Sequence, residues 1–305
     1  MPLHRVKLIV NPNADLGRAW IAARDLRPVV EEFGGADWAG TVYPTHAMEL
    51  ARLAGEQGYE LVIAAGGDGT THEVVNGLMQ LPPEHRPRLG VVPLGSGNDF
   101  AFTVGMPRDP YQALRQIFTG QTKRVDVGVL RDNLGRQEYW ANTLGIGFDA
   151  TVTIRSRRFR MLRGFLVYLL AVIQTILLNH EAPNFKVETD QEQWERQMLL
   201  LVLCNGGREG GGFYVQPAAK VDDGVLHYAG IDRVSRWMMF RLLPEVMHGS
   251  HGRFRQVRMG EFHRMSIQAD RPLVIHADGE IFASWGVDVH KLEVNILPEQ
   301  LEVVA

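Results

Sequence analysis

Leu61-Val62-Ile63-Ala64-Ala65-Gly66-Gly67-Asp68-Gly69-Thr70 is the stretch on which the reading of this chain turns. Its first half is a short apolar run of the kind that forms a buried strand. The run then ends in glycines around a single carboxylate. Glycine lets a backbone approach a bulky anion and aim N–H groups at it, and a helix beginning near Thr70 adds its positive end. Such a turn suits a polyphosphate. Asp68 is the odd member, because a carboxylate beside phosphate is repulsive unless a divalent cation lies between them or a proton is being moved. Both exceptions lead to phosphoryl transfer. The plain alternative is a strand-to-helix turn that needs positive φ at several positions.

Two further stretches repeat the pattern. Leu89-Gly90-Val91-Val92 reads as a buried strand and is followed by Pro93-Leu94-Gly95-Ser96-Gly97-Asn98-Asp99-Phe100. Val6-Lys7-Leu8-Ile9-Val10 reads likewise and ends in Asn11-Pro12-Asn13-Ala14-Asp15-Leu16-Gly17-Arg18. In an open parallel sheet, ligands bind outside the carboxyl ends of the strands, so three polar, glycine-bearing turns are expected to converge on one crevice.

Composition bounds the rest. A chain of 305 residues is long enough for two domains. With 45% hydrophobic and 22% charged residues it fills two cores without metals or disulfides. The single cysteine, Cys204, has no internal partner, which fits a reducing compartment. A net charge of −3 argues against a nucleic-acid partner. The N-terminus passes straight into a strand, so no secretory signal is expected and the cytoplasm is the expected location.

Up to about Arg124 the sequence alternates strand-like runs (6–10, 37–43, 61–65, 89–92) with helix-like ones (18–33, 46–57, 70–80, 110–119). This predicts a doubly wound, Rossmann-like α/β domain over 1–124. From Val125 to about 290 the texture is of strand pairs with Gly and Asp turns: 125–131 against 138–144, 184–189 against 193–205, then 224–231, 257–259, 263–269, 272–276 and 281–285. That spacing predicts an antiparallel β-sandwich. Residues 291–305 are expected to pack back on the first domain. Asp223-Gly224 and Asp278-Gly279 both fall between strand-like runs and read as two-residue hairpin turns.

The segment 155–178 breaks this texture. Arginines at 155, 157, 158, 160 and 163 precede the apolar run Phe165–Leu178. As a helix that run reaches about 21 Å, short of a hydrocarbon core of about 30 Å. It is either a helix buried against the sandwich or a docking element for an anionic lipid surface, which implies transient peripheral contact with the inner membrane face. The eleven histidines show no metal-ligand spacing.

The order Asn11-Pro12, Thr41 with His46-Ala47-Met48-Glu49-Leu50-Ala51, the 66–70 turn and the 93–100 turn resembles the diacylglycerol kinase catalytic-domain family, which includes bacterial lipid kinases and sphingosine kinases. The resemblance continues through Asn142-Thr143-Leu144-Gly145-Ile146-Gly147-Phe148-Asp149-Ala150, through Gly210-Gly211-Gly212 with Pro217, Lys220 and Asp222-Asp223-Gly224, and to Asp278-Gly279-Glu280. The 66–70 turn alone is shared with NAD kinases. The resemblance implies two domains with the active site in the cleft between them, and transfer of the γ-phosphoryl group of ATP, with Mg²⁺, to diacylglycerol or a related lipid alcohol. Triphosphate holding then falls to Asn11, Thr41, Gly66, Gly67, Asp68, Gly69, Thr70 and Ser96. Asp68 lies beside the catalytic metal, and Asn98 and Asp99 face metal or substrate hydroxyl. Glu280 is the implied base, with Asp68 the rival by likeness to sphingosine kinases. Bacterial members place a structural Mg²⁺ at positions matching the carbonyls of Lys220 and Val225 and the side chain of Asp223. Asp15 stands where the family commonly has glycine and Ser96 where it has threonine. His251, which resembles a family Gly-x-His, reads as structural. A kinase of a soluble alcohol such as NAD, and a catalytically silent lipid- or nucleotide-binding module, are the competing readings. The sequence is compatible with a homodimer and does not select the acyl chain.

Overall fold

Strands covered on both faces read as continuous apolar runs, and the first part of the chain supplies them. The computed structural model describes residues 5–159, 165–179 and 181–305. It forms β1 (Val6–Val10), β2 (Asp37–Gly40), β3 (Leu61–Gly66) and β4 (Arg88–Pro93). All pair in parallel, in the order β2-β1-β3-β4. Between them run α1 (Ala19–Glu32), α2 (His46–Glu56) and α3 (Asp68–Met79), and α4 (Asp99–Thr103) and α5 (Pro110–Thr119) follow β4. Helix α1 packs on α5 and α2 on α3, which gives the sheet its helical cover. The strand ends are level: Val10 lies opposite both Gly40 and Ala65, and Gly66 lies opposite Pro93. Strand order reverses between β1 and β3, and that reversal is where a doubly wound sheet opens a crevice.

This sheet belongs to a unit made of residues up to Asp126 with Glu299–Ala305; Val127–Pro298 forms the second unit. Strands β5 (Thr122–Asp132) and β15 (Lys291–Val304) run through both. The second unit holds β6 (Gln137–Trp140), β7 (Thr143–Gly147), α6 (Phe148–Ser156), α7 (Phe165–Leu178), β8 (Asn184–Thr189) and β9 (Gln193–Cys204). It continues with β10 (Leu226–Asp232), α8 (Arg236–His248), β11 (Val257–Phe262), β12 (Arg264–Ala269), β13 (Ile275–Ala277) and β14 (Glu280–Ala283). One antiparallel sheet runs β14-β13-β7-β9-β10-β11 and the other β9-β8-β12-β15. Strand β9 serves both: residues 193–197 pair with β8 and 200–204 with β7. The sandwich core gathers Trp140, Phe185, Leu201, Leu203, Tyr228 and Phe262.

A bulge in β9 decides which side chains leave that core. Ile231 of β10 lies opposite Leu200, but Asp232 lies opposite Met198, so Leu199 is the extra residue. The alternation inverts there. Met198, Leu201 and Leu203 face the sandwich core, whereas Leu199, Val202 and Cys204 face outward against α6, α7 and α8.

The sandwich departs from the sequence expectation in four places. The run 138–144 is not one strand, because the N–H groups of Ala141, Asn142 and Thr143 turn away to the Asp278 carboxylate at 2.9, 2.8 and 3.0 Å. Asp223-Gly224 makes no hairpin: it leads from a loop into β10, and Asp223 Oδ1 accepts the Val225 N–H at 3.3 Å. Helices α6 and α8 occupy stretches to which the sequence reading gave no element. Asp278-Gly279 does form a two-residue hairpin turn between β13 and β14, with φ of +50° and +83°, the signature of a turn that matches strand twist.

Helix α7 has one buried face and one exposed apolar face. Ala171, Val172, Thr175 and Ile176 are buried, while Leu166, Leu170 and Leu177 form an outer stripe that is 59%, 40% and 55% exposed. No described helix is long and apolar enough to cross a membrane. Arg160 and Arg163 of the basic run lie outside the described residues.

Three N–H bonds to one carboxylate at a break between strands give Asp278 structural weight. Asp278→Ala is expected to lower unfolding free energy in urea by about 3 kcal/mol; a change below about 0.5 kcal/mol removes the turn from that role.

Candidate active site

In the first unit, the residues that follow the strand ends hold one another. Asn11 donates its backbone N–H to the Ala65 carbonyl at 3.1 Å and its amide to Thr70 Oγ1 at 3.2 Å, and it accepts the Asn13 N–H at 3.0 Å. Thr41 is buried and donates its N–H to the Val10 carbonyl at 2.8 Å. Leu94 donates to the Gly66 carbonyl at 2.7 Å. The loops after β1, β2, β3 and β4 are thereby tied at one edge of the sheet.

Two glycines set how closely they approach. A Cβ on Gly95 would lie 2.3 Å from the Gly67 Cα, and one on Gly67 would lie 3.1 Å from the Gly95 Cα. The backbones meet without side chains between them. A Cβ on Gly97 would lie 2.8 Å from Asp68 Oδ2 and 3.1 Å from Asp99 Oδ2, so the two carboxylates flank one residue. Asp68 Oδ1 also accepts the Phe100 N–H at 3.2 Å, which joins the 66–70 turn to α4. Asn98, at φ +52°, spends its amide inside the loop: Oδ1 accepts the Gly95 N–H at 2.9 Å and Nδ2 donates to the Gly95 carbonyl at 2.8 Å. Ser96 is exposed, and Asp15 holds the φ of +47° that suits glycine. Helix α3 starts at Asp68 with no side-chain cap, leaving its first N–H groups and its dipole at the turn. A glycine-lined cradle at a helix start beside two carboxylates fits a magnesium-bound polyphosphate: the N–H groups suit phosphate oxygens and the acids suit the hard cation.

In the second unit, the hairpin turn presents Glu280 half-exposed, with its carboxylate 2.7 Å from Arg157 Nη2. Arg157 also donates to the Gly279 carbonyl at 3.1 Å. Lys220 and Asp223 lie at the surface, and His227 Nε2 stands 3.5 Å from Asp223 Oδ2. His251 is buried, with Nε2 at 3.0 Å from the Val215 carbonyl.

The structure also assembles a group that local spacing could not reveal. His276 lies opposite Gly145 in the β13–β7 pairing, and a Cβ on Gly145 would collide with both the His276 ring and Asp149. The space left by that glycine holds Asp149 Oδ2 at 2.7 Å and Glu209 Oε1 at 3.0 Å from His276 Nε2. Burial, and then Asp149, push the Glu209 carboxyl up to about 7. Burial opposes charge on the His276 ring, but Glu209 and Asp149 outweigh it and raise the ring. The Gly279 N–H points at Nδ1 from 3.1 Å, and an imidazolium has no lone pair there to receive it. Nδ1 is therefore the acceptor and the ring carries its proton on Nε2, facing the Asp149 and Glu209 carboxyl groups. The same bond argues against a metal on this trio, since a histidine that ligates through Nε2 needs an acceptor at Nδ1.

Above the trio lies a pocket of about 790 Å³, counting its open mouth, lined by Phe148, Val152, Val172, Leu199, Leu242 and Val246, with Asp149 and Glu209 among its few polar groups. At pH 7 the ¹⁵N spectrum of His276 is expected to show a protonated Nε2 and an unprotonated Nδ1; two protonated nitrogens overturn the assignment.

Comparison with known proteins agrees with this geometry. The diacylglycerol kinase catalytic domain matches residues 5–130, and the YegS C-terminal NAD kinase beta sandwich-like domain matches 142–305. A Chromohalobacter salexigens protein named "Probable lipid kinase YegS-like" is 36% identical over 242 residues, covering 76% of this chain and 73% of that one. The diacylglycerol kinase of Bacillus subtilis is 27% identical over 285 residues, covering 91% and 90%. The solved structure of a diacylglycerol kinase from Bacillus anthracis superposes with a TM-score of 0.73 at 21% identity, covering 100% and 97%, and so shares the fold. Paired strand-end loops, an antiparallel sandwich and matches along nearly the whole length lead to one conclusion: the chain belongs to the diacylglycerol kinase catalytic-domain family of lipid kinases.

Proposed function

We propose that this protein is an ATP- and Mg²⁺-dependent kinase that transfers the γ-phosphoryl group to the hydroxyl of diacylglycerol or a closely related lipid alcohol, giving phosphatidic acid from the former. The observation that carries the proposal is the Gly67–Gly95 approach with Asp68 and Asp99 flanking Gly97. In this reading the 66–70 turn, Asn11, Thr41 and Ser96 hold the triphosphate. Asp68 and Asp99 hold Mg²⁺, which supplies charge neutralisation on the transferring group. Asn98 shapes the loop that carries Ser96. Glu280 accepts the proton of the attacking hydroxyl, and its Arg157 partner holds the carboxylate in place. A second Mg²⁺ at Asp223 with the carbonyls of Lys220 and Val225 has a structural role. The apolar lining of the second unit's pocket favours a lipid over a dinucleotide such as NAD, whose polar groups find few partners there. Contact with the bilayer runs through the outer leucines of α7 and the arginines that precede it.

The expected result with labelled ATP, Mg²⁺ and diacylglycerol is a radioactive product with the mass of phosphatidic acid. Glu280→Gln is expected to lower turnover about a hundredfold or more with nucleotide binding kept, whereas Asp68→Asn weakens Mg-nucleotide use as well. Wild-type turnover in Glu280→Gln removes Glu280 from the role, and absence of transfer across a panel of lipid alcohols removes the function. Replacing Leu170 and Leu177 together with serine is expected to reduce co-sedimentation with anionic vesicles several-fold; unchanged sedimentation rejects α7 as the contact.

A further inference from the structure

The second unit's pocket is walled in part by the inner faces of two helices: Val172 and Ile176 come from α7, and Met239, Leu242 and Val246 from α8. Their outer faces meet as well. Arg236, which opens α8, donates from Nε to the Ile176 carbonyl near the end of α7 at 3.1 Å, so Trp237 on one helix and Leu177 and Leu178 on the other adjoin a single contact. All three side chains are exposed. Trp237 is 84% exposed, more than any other large apolar side chain among the described residues. A lone apolar side chain at the surface needs no explanation, but an indole beside the leucine stripe of α7 extends a patch. Tryptophan is a residue that membrane–water interfaces collect, because its ring is apolar and its N–H is polar.

Charge points to the same partner. The sequence has no acid between Asp149 and Glu181 and none between Asp232 and Glu245, whereas arginines stand at 155, 157 and 158 before α7 and at 233, 236 and 241 around the start of α8. Asp232 is paired with Arg196 at 3.0 Å, and Glu245 is buried between Arg241 and Arg253 at 2.5 and 2.6 Å. Glu181, exposed just past α7, is the acid that opposes the patch. A second copy of this chain on the patch would set arginine against arginine, while an anionic bilayer offers both an apolar layer and phosphates.

We propose that Trp237 is a membrane anchor: the first turn of α8 lies beside the outer stripe of α7 on an anionic bilayer, with the indole at headgroup level and Arg233 against lipid phosphates. This rests on the lipid-kinase reading above and extends the α7 contact to a second helix. One interfacial helix can roll about its axis, whereas two helices joined at a fixed contact cannot. The pocket wall is then held about one helix diameter, roughly 10 Å, from the layer that contains lipid alcohols.

The test uses the full chain, without nucleotide, and phosphatidylcholine vesicles with and without phosphatidylglycerol. On the anionic vesicles, wild-type tryptophan emission is expected to shift to the blue and to be quenched by brominated acyl chains. Trp237→Leu is expected to lose most of that quenching at saturating lipid. Trp237→Ser is expected to weaken co-sedimentation about tenfold and Arg233→Glu about fivefold, and added salt weakens wild type. Both side chains are exposed, so the fold does not depend on them. Unchanged quenching in Trp237→Leu, or sedimentation of Trp237→Ser within about twofold of wild type, overturns the proposal. A wild-type dimer that Trp237→Ser abolishes while vesicle binding persists overturns it in favour of a second copy. Failure of wild type to bind either vesicle overturns it together with the α7 contact. Phosphoryl transfer to dispersed dioctanoylglycerol is measured in parallel. Transfer by a wild type whose vesicle binding ignores Trp237 defeats this inference alone, whereas absence of transfer to any lipid alcohol defeats the functional reading and leaves quenching to decide the anchor.

Discussion

The first unit depends on two backbones meeting where no side chain can stand. The approach of Gly67 to Gly95 lets the loops after β3 and β4 close on each other, and from that contact the rest of the site's geometry follows. Leu94 can then reach the Gly66 carbonyl, Asp68 can accept the Phe100 N–H, and the Asp68 and Asp99 carboxylates come to flank one glycine. Two neighbouring acids in water-poor surroundings repel each other. The glycine spacing that lets the loops meet is also what sets these two acids side by side. A methyl group on either glycine separates the loops and dissolves the pair.

The second unit is organised around polar groups that break its strands. Asp278 draws three N–H groups out of the run 141–143, and the same hairpin turn sends the Gly279 N–H to His276 and projects Glu280 outward. The His276 ring then reaches Asp149 and Glu209 in the space that Gly145 leaves. A continuous line of hydrogen bonds thus joins the pocket's polar end to the turn that carries Glu280. In a low-dielectric interior such a line is rigid, because each member that moved alone would leave a buried partner unmet.

Much of this was legible in the chain. The central strands β3 and β4 were readable from their apolar runs, because a strand buried on both faces must be apolar throughout, whereas the edge strand β2 carries no such run. The turns after β3 and β4 were readable because a close backbone approach, as between Gly67 and Gly95, selects glycine. Helices α6 and α8 were less so. Phe148–Ser156 begins in a glycine motif and mixes β-branched residues with polar ones, and Arg236–His248 carries Pro244 inside it, so neither shows a clean helical period.

By itself, then, the sequence determined the chemistry of the strand-end loops, the two textures of the chain and the hairpin at Asp278-Gly279, since each of these is written in residues adjacent along the backbone. Only the tertiary structure decided the rest. Leu199, Leu201 and Leu203 share one parity, yet a single extra residue in β9 sends Leu199 to the pocket and the other two to the core. His276 and Asp149, 127 positions apart, become partners because β13 pairs beside β7 in the register that sets His276 against Gly145. Register and bulges are settled by packing of whole sheets, where a one-residue shift exchanges inside for outside, and no local stretch of residues carries that information.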